Sequence, residues 1–164
     1  MKKYIRIGII LIVTVFIAVS CVKAKRIKFP SGRDTKESYG DGTYQILSHQ
    51  ELPHERTLSL RNEAYRSCLI QYVDAYQKEG SKVFITGSNT APWDNLNDAG
   101  RYLLYAVIDI NNNTATLCVV PEGPLMGKYW FSSQEKMIND GVLHLISDIS
   151  EFNEEDYAVF QELQ

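Results

Sequence analysis

The sequence predicts an α+β fold of mainly antiparallel β-structure: a small sheet of hairpins with a C-terminal helix, preceded by an N-terminal membrane helix or signal. Three observations predict it. Residues 7–22 carry no charge. Short apolar runs separated by turn residues recur through the middle of the chain, which is typical of five or six hairpin strands. Near the C-terminus, Tyr157, Phe160 and Leu163 share one side of a predicted helix.

The N-terminal segment, Ile7 to Val22, is a run of sixteen uncharged residues that follows the basic Lys2, Lys3 and Arg6. As a helix it would cover roughly 24 Å, a little less than a ~30 Å hydrocarbon core, and flanking Lys and Arg side chains can reach the headgroups. A buried core helix is disfavoured because the run has no polar face. The segment is interpreted as a cleaved signal, a lipoprotein signal or an uncleaved anchor.

The sequence Ala18-Val19-Ser20-Cys21 resembles the bacterial lipobox, in which small residues precede a cysteine that is diacylated and becomes the mature N-terminus. The resemblance makes Cys21 the candidate lipidation site. It departs from the usual pattern at Ala18, where leucine is the commonest residue. Two acyl chains would hold a domain firmly at a membrane. The alternative, in which Cys21 is only an apolar residue of a spanning helix, stays open.

Charge is divided unevenly along the chain. Seven of the 17 basic residues lie in the first 28 positions, and all 20 acidic residues lie after them. Residues 29–164 therefore carry 10 basic and 20 acidic residues, a net formal charge of −10. Such a domain repels phosphate backbones, which argues against nucleic acid as a partner. The signal-like N-terminus predicts a domain facing outside the cell membrane, although the Lys and Arg counts on its two sides do not fix the orientation.

Residues 23–42 are basic and then rich in Gly, Ser and charge, so they are interpreted as a linker, and residues 43–164 as a single extracytoplasmic domain. Asp41, between two glycines, is interpreted as the acceptor of a tight turn. Strands are predicted at residues 42–48, 57–61 and 82–87.

The clearest hairpin combines residues 101–110 with 114–120 around the turn Asn111-Asn112-Asn113, because asparagine tolerates positive φ. Residues 150–164 are predicted to form the closing helix. Asn153 can cap it, and the acidic residues after Asn153 favour its N-terminal dipole.

Residues 62–80 allow two interpretations. Apolar side chains recur there at helical spacing, with Asn62 as a cap and Gly80 as a stop, and local spacing slightly favours the helix. The same stretch contains the β-rich run SCLIQYV and can fold as a hairpin around Glu79-Gly80.

The pattern PSG at residues 30–32 followed by YGDGTYQI at residues 39–46 resembles small uncharacterised membrane-anchored, lipoprotein-like proteins of Gram-positive bacteria. The later phrases VDAYQKEGSKVFITG and LYAVIDINNNTATL resemble strand-turn-strand segments of those proteins and of single propeller blades. The resemblance implies β-structure over residues 62–80 and implies no activity. A whole propeller is excluded because four blades of ~40 residues exceed the chain available after the anchor.

The chain contains three cysteines. If Cys21 is acylated, Cys68 and Cys118 remain as a candidate disulfide, which an oxidising compartment would permit. The alternative is two buried free thiols, since both cysteines lie in apolar runs where a thiol packs well.

A stretch rich in imidazole and carboxylate groups offers a candidate zinc-binding loop. Imidazole and carboxylate groups this close could bind zinc if the loop folded them onto one centre, but the spacing is not that of a zincin helix. The sequence therefore predicts no metal, no cofactor and no catalytic residue. The stretch contains His49, Glu51, His54 and Glu55.

Two long loops carry the candidate binding residues: Trp93 lies in residues 87–100, and Tyr129 and Trp130 lie in residues 121–133. Long loops inside small domains are often functional, and exposed aromatic residues commonly anchor interfaces. The alternative is that both tryptophans complete the core.

The sequence as a whole predicts a membrane-tethered, non-enzymatic interaction module with an unidentified protein partner. One alternative is a small metal-dependent enzyme using His49 and His54. The other is a structural or immunity-type protein.

Overall fold

The computed structural model describes residues 27–52, 55–90, 101–122 and 132–163. Within them the chain forms two β-sheets and two α-helices in three layers. The first sheet packs on one face of the second sheet, and the last helix packs on the other face. The prediction of mainly antiparallel β-structure with a C-terminal helix is therefore confirmed.

The first sheet is antiparallel, and its strands follow one another in chain order. Alternation along the second of them turns Tyr44 and Ile46 into the core and His49 to the outer face. The strands are β1 (Thr35–Tyr39), β2 (Tyr44–Leu52), β3 (Glu55–Asn62) and β4 (Ser67–Ile70).

The second sheet has five strands, of which the first four are antiparallel and the last pairs in parallel with its neighbour. One helix connects the last two strands, and the second helix ends the described chain. The strands are β5 (Tyr72–Glu79), β6 (Lys82–Ser88), β7 (Arg101–Asp109), β8 (Thr114–Glu122) and β9 (Leu143–Ile146), and the helices are α1 (Ser132–Asn139) and α2 (Glu154–Leu163).

Strand β1 lies inside residues 23–42, the segment interpreted as a linker. In this strand Lys36, Glu37 and Ser38 are exposed, and Tyr39 is buried. An edge strand needs to bury few side chains, so it lacks the apolar alternation by which a strand is recognised in a sequence. The β-structure therefore begins before residue 43.

The expectation of one sheet with five or six strands is wrong, because the described residues form nine strands in two sheets. Part of the difference lies in residues 62–80, where the helix favoured by local spacing is replaced by β4 and β5. The β interpretation of this stretch is thus confirmed. Its hairpin turns at Gly80, which has a φ of 56°.

The chain passes from the first sheet to the second between β4 and β5, which are separated by Gln71 alone. The backbone of this crossing lies directly on Gly87 of β6. A Cβ atom at Gly87 would overlap the carbonyl oxygen of Tyr72 and would lie 2.6 Å from the Cγ2 atom of Ile70. A glycine is therefore required at this contact between the sheets.

The larger core lies between the two sheets. Ile46 and Leu60 contribute from the first sheet, and Ile85, Leu104 and Leu117 contribute from the second. All five side chains are fully buried. Their burial supplies the main apolar driving force for packing the sheets face to face.

The smaller core lies between the outer face of the second sheet and α2. The ring of Phe160 lies 5.5 Å from Phe84, 5.4 Å from Tyr105 and 5.1 Å from Phe152, measured between ring centroids. Edge-to-face and tilted contacts of this kind add to the energy of burial. They fix α2 across the second sheet.

The closing helix has the predicted cap at Asn153, but it begins at Glu154 and not at Ser150, because residues 149–151 form a separate 3-10 turn. The Asn153 side chain accepts a hydrogen bond from the Asp156 amide at 2.9 Å, which is the geometry of an N-cap. The Asp156 carboxylate receives two hydrogen bonds from the Lys82 ammonium, at 2.6 and 2.9 Å. The cap and this ion pair connect the first turn of α2 to strand β6.

The other predicted hairpin is also confirmed. Strands β7 and β8 pair from Arg101 with Glu122 to Asp109 with Thr114. Asn113 adopts a positive φ of 54° in the turn between them.

We expect Gly87→Ala to lower the free energy of unfolding by about 3 kcal/mol, because the added methyl group would push the Tyr72 backbone away from β6. Urea denaturation measures the change. Gly32→Ala is the matched control, since a Cβ there meets only the Thr35 hydroxyl, at 3.9 Å. Equal stability of the two variants would contradict the close approach.

We expect Asp156→Asn to lower the free energy of unfolding by about 1–2 kcal/mol, because the Lys82 ammonium loses its pairing with a carboxylate that is only 9% exposed. Glu63→Gln removes the Arg61 pair, whose side chains are 36% and 25% exposed and 3.6 Å apart, and should cost about 0.5 kcal/mol or less. A double-mutant cycle with Lys82→Gln isolates the coupling energy. No coupling between residues 82 and 156 would refute the role of this pair in holding α2.

Candidate binding site

Both long loops leave the same end of the second sheet. Strand register places Arg101 opposite Glu122 and Leu103 opposite Ser88. The end of β6, the start of β7 and the end of β8 are therefore neighbours. We call this the loop end, defined by Ser88, Arg101 and Glu122. The opposite end, defined by the tight turns at residues 79–82 and 109–114, is the turn end.

Polar contacts fix the described ends of the loops. The Ser88 hydroxyl donates to the carbonyl oxygen of Thr90 at 2.7 Å, and the Tyr102 amide donates to the side-chain oxygen of Asn89 at 2.8 Å. Across the next strand pair, Arg101 and Glu122 form an ion pair at 3.4 Å. These contacts give both loops defined starting points on the sheet.

A pocket of about 450 Å³ opens on the outer face of the second sheet, near the loop end. Helix α2 starts at the turn end, where Asp156 meets Lys82, and it ends at Leu163 beside the pocket. The helix therefore covers only part of this face. The pocket is lined by Asp74, Ala75, Thr86, Gly87, Leu103, Leu104, Tyr105 and Leu163.

Asp74 is the acidic group of the pocket. It lies at an irregularity of β5, where the register with β6 shifts between Val73 and Ala75. Removal of water around the carboxyl raises its pKa, and the positive charge of Arg101 partly opposes that effect. Asp74 is nevertheless exposed, so its carboxylate is accessible to a cation that enters the pocket.

The structure places few of the predicted site residues. Trp93, Tyr129, Trp130 and Cys21 lie outside the described residues, as does the N-terminal membrane segment. Whether either tryptophan completes the core therefore stays a matter of prediction.

The candidate metal loop is only partly described. His49 is exposed on the outer face of the first sheet, and its Nε2 atom lies 2.7 Å from the Ser59 hydroxyl oxygen. His54 lies outside the described residues. Among the residues whose positions are described, no three metal-binding groups lie close enough to hold an ion.

The candidate disulfide is not formed, because Cys68 and Cys118 are both free in the structure. They belong to different sheets. The Cys68 thiol donates to the carbonyl oxygen of Ile70 at 3.4 Å, whereas Cys118 packs with Phe160 in the smaller core. Burial raises the pKa of the Cys118 thiol to about 12. The alternative of two free thiols agrees with the structure, except that Cys68 is exposed.

Sequence reasoning missed the pocket residues. Asp74 interrupts no apolar pattern, and Leu103 and Tyr105 look like ordinary members of the alternating strand β7. The relevant signal is the length of α2, which is too short to cover a nine-residue strand from end to end.

Comparison with known proteins adds no relative: no protein-family model, curated protein or solved structure matches the chain. Across the described part of the chain, neither helix has the length and apolar character needed to cross a bilayer.

We expect both cysteines to be alkylated when the protein is denatured without reductant, because neither is in a disulfide. In the folded protein Cys68 should react first. With a pKa of about 12, only about one Cys118 thiol in ten thousand is ionised at pH 8, and the core shields it. Peptide mapping by mass spectrometry distinguishes the two sites. A linked peptide containing both cysteines would contradict the structure.

Proposed function

We propose that this protein is a membrane-tethered, extracytoplasmic interaction module that binds a protein partner at the loop end. One observation carries the proposal: the pairing of Arg101 with Glu122 brings the two aromatic loops onto neighbouring strands. Loops that leave a rigid sheet side by side can form one continuous contact surface. Trp93, Tyr129 and Trp130 are then the anchors of the interface.

The pocket near the loop end favours a basic partner. Leu103 and Leu163 offer apolar contact, and Asp74 offers a carboxylate. A lysine or arginine side chain matches both, since its apolar stem can pack while its charged head pairs. The net charge of −10 over residues 29–164 would also attract a basic surface and speed the encounter.

The tether rests on the N-terminal sequence. The uncharged run at residues 7–22 follows three basic residues, and Cys21 stands in a lipobox-like context. The resemblance to small membrane-anchored proteins of Gram-positive bacteria agrees with this. We therefore place the protein at the cell membrane with its domain outside.

We expect a photo-crosslinking amino acid at position 93 or at position 130 to capture the same protein in cells. Position 81 is the matched control, because Ser81 is exposed at the turn end of the same sheet. Products from both loop positions and none from position 81 support the proposal. The same product from all three positions, or no product from either loop, would refute it.

The chemistry of the pocket is tested on the captured complex. Asp74→Asn should lower the crosslinking yield several-fold, because a basic side chain would lose its carboxylate. Asp148→Asn is the control, since Asp148 is an exposed acid whose hydrogen bonds stay within the 310 turn Ile149–Glu151. Equal yields from the two variants would reject a basic contact at Asp74 while leaving the loop-end interface standing.

A further inference from the structure

The chain that leads from the predicted anchor is fixed to the domain as soon as it reaches residue 28. The amides of Lys28 and Phe29 both donate to the carbonyl oxygen of Asp41, at 2.7 and 3.0 Å. The Gln45 side-chain amide donates to the carbonyl oxygens of Phe29, at 3.3 Å, and of Gly42, at 3.1 Å. We call these five residues the stalk clamp.

The clamp depends on close contact at Gly42. A Cβ atom there would overlap the carbonyl oxygen of Phe29 and would lie 2.8 Å from its carbonyl carbon. Gly42 also has a backbone φ of 91°, which residues other than glycine rarely adopt. Asp41 completes the turn by accepting hydrogen bonds from the Thr43 amide and hydroxyl, as the sequence predicted.

The clamp lies at the turn end of the second sheet. Gly40 packs against the side chain of Asn113 and lies next to the carbonyl oxygen of Ile110. The Tyr44 hydroxyl donates to the carbonyl oxygen of Asn113 at 3.3 Å. The β1–β2 turn, which holds the stalk, is therefore joined to the β7–β8 turn.

The clamp and the loop end are thus at opposite ends of the domain. Strand β7 runs from Arg101 at the loop end to Asp109 at the turn end. Its nine residues span roughly 27 Å at about 3.4 Å per residue. Because the stalk is held at the turn end, the two loops lie at the end of the domain that is farthest from the stalk.

The charge distribution favours the same arrangement. Lys23, Lys25 and Arg26 lie between the apolar run and the clamp, and Lys28 is the first residue of the clamp. Basic residues at this position are attracted to anionic headgroups. The rest of the domain carries a net charge of −10 and is repelled by them. Six peptide units separate Val22 from Lys28, so the spacer reaches at most about 20 Å.

We infer that the stalk clamp holds the domain upright, with its turn end against the bilayer and its loop end turned away from it. The inference rests on the proposed tether. It assigns the loop end a partner that approaches from the aqueous side, and it excludes lipid as the surface that the aromatic loops meet.

Energy transfer from the protein to a membrane tests the orientation. The full chain is reconstituted in vesicles that contain a neutral phospholipid, anionic phosphatidylserine and a headgroup-labelled acceptor lipid. A donor dye is attached through a genetically encoded amino acid at position 111 or at position 71. Asn111 is exposed at the turn end, and Gln71 is exposed near the loop end.

We expect transfer from position 111 to exceed transfer from position 71 at least about two-fold, because roughly 27 Å of strand separates the two ends. Equal transfer would overturn the upright orientation, and stronger transfer from position 71 would show that the loops face the lipid. Flotation of the vesicles is measured on the same samples. A chain that fails to float refutes the proposed tether itself, whereas a floating chain with equal transfer refutes only the orientation.

Two glycine variants test whether the clamp causes the orientation of the domain on the membrane. Gly42→Ala should reduce the difference in energy transfer between positions 111 and 71, because the added methyl group displaces Phe29 from the domain. Gly80→Ala is the matched control: it lies at the turn end with a φ of 56°, yet a Cβ there meets nothing within 4 Å. If folded Gly42→Ala keeps the full difference in energy transfer between the two positions, the clamp does not set the orientation. If both variants lose that difference, displacement of Phe29 is not its cause.

Discussion

The second sheet is packed on both faces, and the rest of the structure depends on that constraint. Strand β6 shows it most directly: Val83 and Ile85 face the first sheet, while Phe84 faces α2. A strand buried on both sides needs an apolar partner layer on each. The crossing over Gly87 brings the first sheet to one side, and the Lys82–Asp156 pair helps to hold α2 on the other.

Much of the fold could be predicted because local patterns agree with the final structure. The hairpin of β7 and β8 combines alternation with an asparagine turn, and the closing helix has its cap at Asn153. Residues 62–80 could not be assigned locally, since their spacing fits a helix while sheet pairing decides for strands. Strand β1 and the four-residue β9 carry too few buried side chains to give a pattern.

The candidate site was predictable only in part. Length and aromatic content single out the two loops, but their adjacency follows from strand register, which no local feature of Arg101 or Glu122 reveals. The pocket is a property of tertiary structure, since it exists where α2 ends and β7 continues. Cysteine count allowed the pairing of Cys68 with Cys118, yet Cys118 lies on the outer face of the second sheet, in the smaller core under α2, whereas Cys68 belongs to the first sheet on the other side.

The charged residues of edge strand β1 affect whether copies of the protein on one membrane surface can pair with each other. Copies tethered to one membrane would meet far more often than the same number in solution. A bare strand edge invites pairing with a neighbouring copy, and β1 is an edge of the first sheet. Lys36 and Glu37 project there into water, so a second copy would have to desolvate both charges in order to extend the sheet. The polar sequence that makes β1 hard to recognise therefore opposes lateral self-association.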